Sequence, residues 1–432
     1  MKEKSMSLDD LAREVLVEND RGGFTVPSSD LYPYQWNWDS YFVALGFSTF
    51  DSNRAWREIE TIFEGQWPCG MVPHILFRSD FSSYFPGPAV WGANKGKWPS
   101  TGISQPPVAA TVVLEILRSD QEKARELFPK MNAWHQWFHT ARDPDGLGII
   151  AMSHPWESGR DNLPDWDKPG DAIDVSNVGE YERRDLALCD SEMRPHKKDY
   201  DRYLALIYFG RERGWDHETI ARENPFWVAD PGTTAILLRA ERDLLKVAEI
   251  LGEDATGIQD RINRMEVGFE RLWNKEVGAY CALDLRTNEF SDAVTSASFL
   301  APYAGINTHT AELICRLEEI EQHCEFMVPS FDPRHASFDH LRYWRGPVWA
   351  IVNYMIAKGF EEIGQDAWAS KLSSSIKELI QKSGFREYFS AIDGSGAGGP
   401  SFSWTAAMWL AWVSDSNQAP GQVPDRAMMT GG

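Results

Sequence analysis

The chain has little of what would tie it to several large classes of protein. Only five of its 432 residues are cysteine (Cys69, Cys189, Cys281, Cys315 and Cys324), an odd number without paired Cys-x-x-Cys spacing. That fits buried, reduced thiols better than a disulfide framework and speaks against metal chemistry through sulfur. Apolar runs such as Pro347–Ile356 fall short of the ~20 residues that span a bilayer. The opening MKEKSMSLDDLAREV lacks the apolar core of a signal peptide, so a cytoplasmic location is expected. Positive charge is scarce: 43 Lys and Arg stand against 64 Asp and Glu, a net charge of −21. Nucleic-acid backbones and anionic membranes repel such a chain, and neither is expected as a partner. Strand-like alternation is rare, and no Ser/Gly linker or charge block divides the sequence.

What the chain does have in excess is tryptophan, 19 residues of it. Flat indole faces stack on the apolar faces of sugar rings while the N–H bonds a hydroxyl, so the excess leans toward a carbohydrate site. Apolar residues recur at helical spacing over Ser7–Val17, Ser52–Gln66, Val108–Leu117, Asp120–Thr140, Asp199–Arg213, Pro231–Leu251, Gly257–Trp273, Thr308–Glu321, Pro347–Lys358, Gln365–Lys382 and Trp404–Val413. About a dozen helices spread evenly predict one all-α domain over 1–414, with an (α/α)6 barrel (toroid) suiting the count. The tail 415–432, rich in Pro, Gly, Ser and Asn, is expected to fray. Two connections, Phe77–Pro106 and Ser153–Lys198, are far longer than ordinary ones and rich in aromatics, which marks them as functional loops that would build a cleft at one end of the ring.

Polar residues and aromatics converge in a few strings. Tyr32-Pro-Tyr-Gln-Trp36-Asn-Trp38-Asp39 offers a sugar platform with an acid that can accept two hydroxyls, or a Trp-rich helix start capped by Asp39. Gly70–His74 holds a histidine more suited to a core than to catalysis, and Gln105-Pro106-Pro107 reads by itself as a helix cap. Trp156-Glu157-Ser158-Gly159-Arg160-Asp161-Asn162 packs acids, an amide and a Trp into one loop, which alone is more often a solvated acidic turn than a site. Glu387 lies among aromatics in Gly384–Phe389, where desolvation raises a carboxyl pKa, which suits acid/base work as well as a buried ion pair with Arg386. Tyr343-Trp344-Arg345-Gly346-Pro347-Val348-Trp349 carries a glycine, Gly346, that lets backbone approach a ligand closely.

As an ordered set these strings resemble glycoside hydrolase family 63, in particular its compact bacterial members that cleave glucosylglycerate or mannosylglycerate. The resemblance rests on WNWD (Trp36–Asp39), GMVPH (Gly70–His74), QPP (Gln105–Pro107), HPWESGRDN (His154–Asn162), RPHKKDYDRYL (Arg194–Leu204), YWRGPVW (Tyr343–Trp349), Glu387 and FSWTA (Phe402–Ala406). It implies an (α/α)6 barrel and inverting hydrolysis, with Asp161 as general acid and Glu387 as general base. The family's acid motif reads ESGMDNSP; here Arg160 stands for Met and Leu163 for Ser.

Inversion needs the acid and the base on opposite faces of the sugar, roughly 6.5–9.5 Å apart, and the acid protonated near neutral pH. Burial or the nearby Glu157 would keep Asp161 protonated, and Arg160 is expected to turn away toward the aglycone or an outer acid. Tyr32, Trp36, Trp38 and Trp404 are expected around the sugar, with Asp39 on its hydroxyls and Gln105, Tyr343 and Trp344 framing the cleft. Arg194 and Tyr200, with Tyr84 from the other long loop, are the candidates for an anionic aglycone. No metal and no cofactor are expected, and the partner is a small carbohydrate. A neutral oligosaccharide substrate, an epimerase using His74, His154 and His196, and a non-catalytic sugar-binding protein compete with this reading. Glucose and mannose differ in one hydroxyl orientation and are not separated, and a homo-oligomer is left open.

Overall fold

A computed structural model describes residues 6–79 and 84–417. Two kinds of helix alternate along it. The Leu8–Glu18 helix buries one narrow face, Ala12, Val15 and Leu16. The Asn37–Ser48 helix that follows buries eleven of its 12 residues, which only an element surrounded by others can do. Continued around the chain, the alternation gives an outer ring of Leu8–Glu18, Ser52–Phe63, Gln121–Ala141, Ile258–Phe269, Thr310–Glu321 and Asp366–Ser383. The inner ring is Asn37–Ser48, Ala109–Ile116, Pro231–Leu251, a pair of 3-10 turns at Ser296–Leu300 and Pro302–Ala304, Ala350–Glu362 and Ser403–Met408. Each inner member packs on the next, and Ser403–Met408 returns onto Asn37–Ser48, so the ring closes. The fold is an (α/α)6 barrel.

The helix starts follow local chemistry. Ser7, Asp51 and Asp120 each accept a backbone N–H of the first turn they precede, and Asp230 accepts two ahead of Pro231, each cap contributing about 1 kcal/mol. Pro231–Leu251 has the bounds read from the sequence, and most other helices shift by one to four residues at an end. Three differences go further. Asn37–Ser48, read as a helix start at most, is a full inner helix whose all-round burial erases the periodicity that marks a surface helix. Lys197–Glu212, expected among the ring helices, packs chiefly on the short Pro88–Trp91 helix in the excursion between rings. The last stretch breaks at Met408 into a π-helical turn, Trp409–Val413.

Strands are two-residue ribbons that pin the connections. Gln35–Trp36 pairs antiparallel with Ile75–Leu76, with Trp36 opposite Ile75. Tyr388–Phe389 pairs with Gly396–Ala397, and Ala151–Met152, Val228–Ala229, Leu283–Asp284 and Glu289–Phe290 form a four-stranded antiparallel ribbon in that order. The first two hold Trp36 and Glu387 where inner helices begin. One apolar core runs from Ala12 to Val413 through both rings. All five cysteines are free, but against the expectation of buried thiols only Cys281 is buried; Cys69 and Cys315 are exposed, Cys315 on the outward face of the outer helix Thr310–Glu321. No described helix is long and apolar enough to cross a membrane. Of the tail, Asp415–Asn417 forms a 3-10 turn, and 418–432 lie outside the described residues.

Candidate active site

The inner helices start at one end of the barrel, and their first turns open onto a cleft enclosing about 570 Å3. Trp36, Trp38 and Asp39 come from the start of Asn37–Ser48, Trp404 from the start of Ser403–Met408, and Gln105 from just before Ala109–Ile116. The long loops complete the wall with Tyr84, Asp161 and Arg194, the Lys197–Glu212 helix adds Tyr200, and Tyr32, Tyr343 and Glu387 close the ring. Twelve of the fourteen residues singled out in the sequence therefore line one cavity. The other two stand behind it. Trp344 is buried, stacked on Trp349 at 3.8 Å between centroids, with its backbone N–H donating to Asn162 Oδ1 (2.9 Å). Gly346 faces backbone, not ligand: a Cβ there would lie 2.5 Å from the carbonyl oxygen of Asp339.

Glu387 is 1% exposed. Oε1 accepts from the Tyr32 hydroxyl (2.8 Å) and Oε2 from the Gly399 N–H (3.0 Å). The Trp404 indole donates to its backbone carbonyl (3.1 Å), so both side chain and main chain are held. Gly398, at φ +68°, is the glycine this geometry demands, because a Cβ would come 2.3 Å from Oε2. Burial raises the Glu387 pKa; Arg194, the Gly399 N–H and the Tyr32 and Tyr343 hydroxyls pull it back without cancelling the rise. No pair with Arg386 forms in the structure; the cation near Glu387 is Arg194, with Nη1 3.6 Å from Oε1.

Asp161 sits on the loop after the 3-10 turn Pro155–Ser158. Burial pushes its carboxyl up to about 7, with Arg194 opposing and Glu387 reinforcing. Of the two causes expected, burial and Glu157, burial is the one that acts; Glu157 is paired elsewhere, with Arg142 Nε 3.0 Å from both of its oxygens and Ser153 donating through N–H and hydroxyl. Arg160 does turn away, but not to an aglycone. It pairs with buried Asp230, the cap of Pro231–Leu251, and its guanidinium fills the space over Gly232. That pair clamps the acid loop to an inner helix, while Tyr203 donates to the Asp161 carbonyl oxygen (2.8 Å). Gly159, at φ +68°, lets the loop lie against the Trp38 ring, where a Cβ would approach to 2.5 Å.

Arg194 is the cation of the cleft, 4% exposed. Its guanidinium lies over the Tyr343 ring at 4.3 Å, and Nε donates to Asp185 Oδ2 (3.1 Å). Tyr343 holds its place from a left-handed backbone (φ +45°) that costs a non-glycine residue roughly 1–3 kcal/mol; its hydroxyl is 3.2 Å from that of Tyr32. Asp39, 4% exposed, is raised well above the carboxylate range by burial and by neighbouring Glu387, Asp161 and Glu58. Gln105 Oε1 accepts the Trp38 N–H (3.3 Å), tying the QPP string to the WNWD turn. Trp38 and Trp404 meet edge to face (6.1 Å), as do Tyr32 and Trp36 (5.2 Å).

His74, Trp156, Gly159 and Phe402 also line the cleft without having been singled out as site residues. They belonged to quoted strings, but nothing in a linear pattern says which side of a turn faces the cavity. Of the histidines an epimerase would pair, His74 alone lines the cleft. His154 is bonded to the Tyr203 carbonyl and the Trp156 N–H and driven by burial down to about 3, and His196 lies in a separate surface groove. One carboxyl kept protonated, a second held among hydroxyls and a backbone N–H, and indole walls between them form a site for acid/base cleavage of a glycosidic bond.

Comparison with known proteins agrees. A family model described as the mannosylglycerate hydrolase MGH1-like glycoside hydrolase domain matches residues 32–405. The mannosylglycerate hydrolase of Thermus thermophilus is 47% identical over 93% of this chain and 99% of its own. The glucosylglycerate hydrolase of Mycolicibacterium hassiacum is 30% identical over 93% of this chain and 96% of its own. The crystal structure of a GH63 mannosylglycerate hydrolase from Thermus thermophilus in complex with Tris and D-glycerate superposes with a TM-score of 0.92 at 46% identity, covering 94% of this chain and all of that one. The chain thus belongs to the MGH1-like group of glycoside hydrolase family 63 and is an inverting hydrolase of small glycosides.

Proposed function

We propose that this enzyme hydrolyses an α-glycoside of glycerate, mannosylglycerate in the first place and glucosylglycerate as the second candidate. One observation carries the reading: among the described residues, Arg194 Nη1 is buried at the cleft and has no hydrogen-bond partner. A guanidinium nitrogen with no hydrogen bond, beside the acid and the base, is what a carboxylate on the leaving group would engage, in a protein whose overall charge of −21 otherwise repels anions. The names of the more similar relatives favour mannose.

In the proposed reaction Asp161 gives its proton to the glycosidic oxygen and Glu387 takes one from the attacking water on the opposite face. Trp36, Trp38 and Trp404 enclose the sugar, and Asp39 holds its hydroxyls. Tyr200 and Tyr84 flank Arg194 at the aglycone side. A cytoplasmic setting belongs to the same reading, with five free thiols in keeping with a reducing compartment.

The test measures kcat/KM of wild type and Arg194→Ala on α-mannosylglycerate, α-glucosylglycerate and a neutral aryl α-mannoside. Loss of a charge-assisted contact should cost the glycerates about 10–100-fold more than the neutral glycoside. An equal loss on all three would remove Arg194 from aglycone recognition.

A further inference from the structure

We infer that Asp185, which lines neither the cleft nor any part of the machinery described so far, is the positioning residue that divides Arg194 between structure and substrate, and so sets the preference for an anionic aglycone. The inference rests on the reading of Arg194 as the carboxylate receptor and goes a step beyond it.

Arg194 has two carboxylates within reach, and they hold it differently. Asp185 accepts from Nε at 3.1 Å, a hydrogen bond; Glu387 lies 3.6 Å from Nη1, too far for one. In a buried site an arginine left to itself would close onto the nearest carboxylate with a two-pronged pair. Closing onto Glu387 would cover the base and use up the edge that faces the cleft. Asp185 prevents this by fixing the guanidinium from its far side. Asp185 is itself fixed: Arg183 donates to both of its oxygens, and Arg183 is anchored over the Tyr200 ring (3.8 Å) and on the Pro195 carbonyl (2.6 Å). The segment just ahead of Arg194 is tied down by Arg342 to Glu192 (2.8 Å) and by the Tyr388 hydroxyl to the Met193 carbonyl (2.7 Å). The chain Arg183, Asp185, Arg194 thus alternates in sign and ends in Nη1, which has no hydrogen bond and lies 3.6 Å from Glu387.

The electrostatics agree with the geometry. Burial raises the Asp185 pKa, but Arg194 and Arg183 outweigh it and hold the carboxyl below its ordinary value, so Asp185 is ionised throughout the working range. The other groups facing Arg194 and Asp185 are Glu387, Asp161, Cys189 and the phenols Tyr32, Tyr343, Tyr200 and Tyr84. Of these, Asp161 is pushed up to about 7 and Glu387 is raised by burial, while burial also raises the thiol and the four phenols.

The experiment compares wild type, Asp185→Asn, Asp185→Glu and Arg194→Ala on α-mannosylglycerate and on a neutral aryl α-mannoside, in the full-length enzyme. The ratio of the two kcat/KM values within one preparation is independent of how much of it is folded. Asp185→Asn keeps an acceptor but loses the charge. It should raise KM for the glycerate by about tenfold or more with the neutral KM within about twofold, and Asp185→Glu should restore most of the difference. With Arg194 free to close on Glu387, the acidic limb of the neutral-substrate profile should also move to lower pH. An Asp185→Asn ratio equal to wild type, or an acidic limb that stays in place, overturns the inference while an altered Arg194→Ala ratio keeps the receptor. An Arg194→Ala ratio equal to wild type overturns both.

Discussion

Asp161→Asn should lower activity and raise stability, and both effects should depend on pH in a way the carboxyl alone dictates. Burial holds Asp161 near 7 against an ordinary 3.8. The folded protein therefore keeps this proton to higher pH than the unfolded chain. The stabilisation due to proton binding is whole below pH 3.8, declines as pH rises through 7, and is gone above it. The difference between 3.8 and about 7 corresponds to about 4 kcal/mol. An asparagine of nearly the same shape carries no such penalty, so its stability relative to wild type should grow by up to about 4 kcal/mol from about pH 4 to about pH 8. The catalytic effect has the opposite sign. Wild-type kcat/KM should fall about tenfold per pH unit above 7 as the acid ionises. Asp161→Asn should lose about 10²–10⁴ on a glycerate leaving group, much less on a dinitrophenyl one, and show no alkaline limb on either. Urea unfolding of both proteins across pH, with initial rates on the two substrates, reads all of this. A stability difference that is flat with pH, or an alkaline limb that survives the substitution, would refute the assignment.

Three further outcomes follow from single contacts. Glu387→Gln should abolish turnover with no trapped glycosyl-enzyme, and proton NMR of the wild type should show the β-anomer released first from an α-glycoside; the α-anomer first would contradict direct attack by water. Tyr32→Phe removes a hydrogen bond that lowers the Glu387 pKa, so the acidic limb of kcat/KM should move to higher pH, and an unmoved limb would show that Tyr32 does not tune the base. Gly159→Ala forces a Cβ to 2.5 Å from Trp38 at φ +68°, and should lower stability by about 1–3 kcal/mol and weaken sugar binding; a wild-type melting temperature and KM would mean that the loop moves at no cost.

Much of the ring was legible because its information is local. A helix buries residues three and four apart, so the outer helices declare themselves by period, and Ser7 and Asp120 mark the starts of two of them by side chains that bond an N–H three residues on. The inner members were less legible for the same reason. Asn37–Ser48 has no polar face to give it a period, and one ring position is filled by two 3-10 turns, Ser296–Leu300 and Pro302–Ala304, too short to show one.

Candidates for acid, base and sugar platform, and their order along the chain, could be read from the sequence, because they rest on residue identity and on short strings that resemble a family's. Which charges meet was decided only by the fold. Arg160 goes to Asp230, 70 residues on, and Arg194 divides between Asp185 and the far more distant Glu387. Glu157, named beside burial as what would keep Asp161 protonated, meets Arg142. A charge has no period and no cap to betray its partner; it pairs with whichever opposite charge the closed ring leaves within about 4 Å in a place water does not reach, and that distance does not exist until the ring has closed.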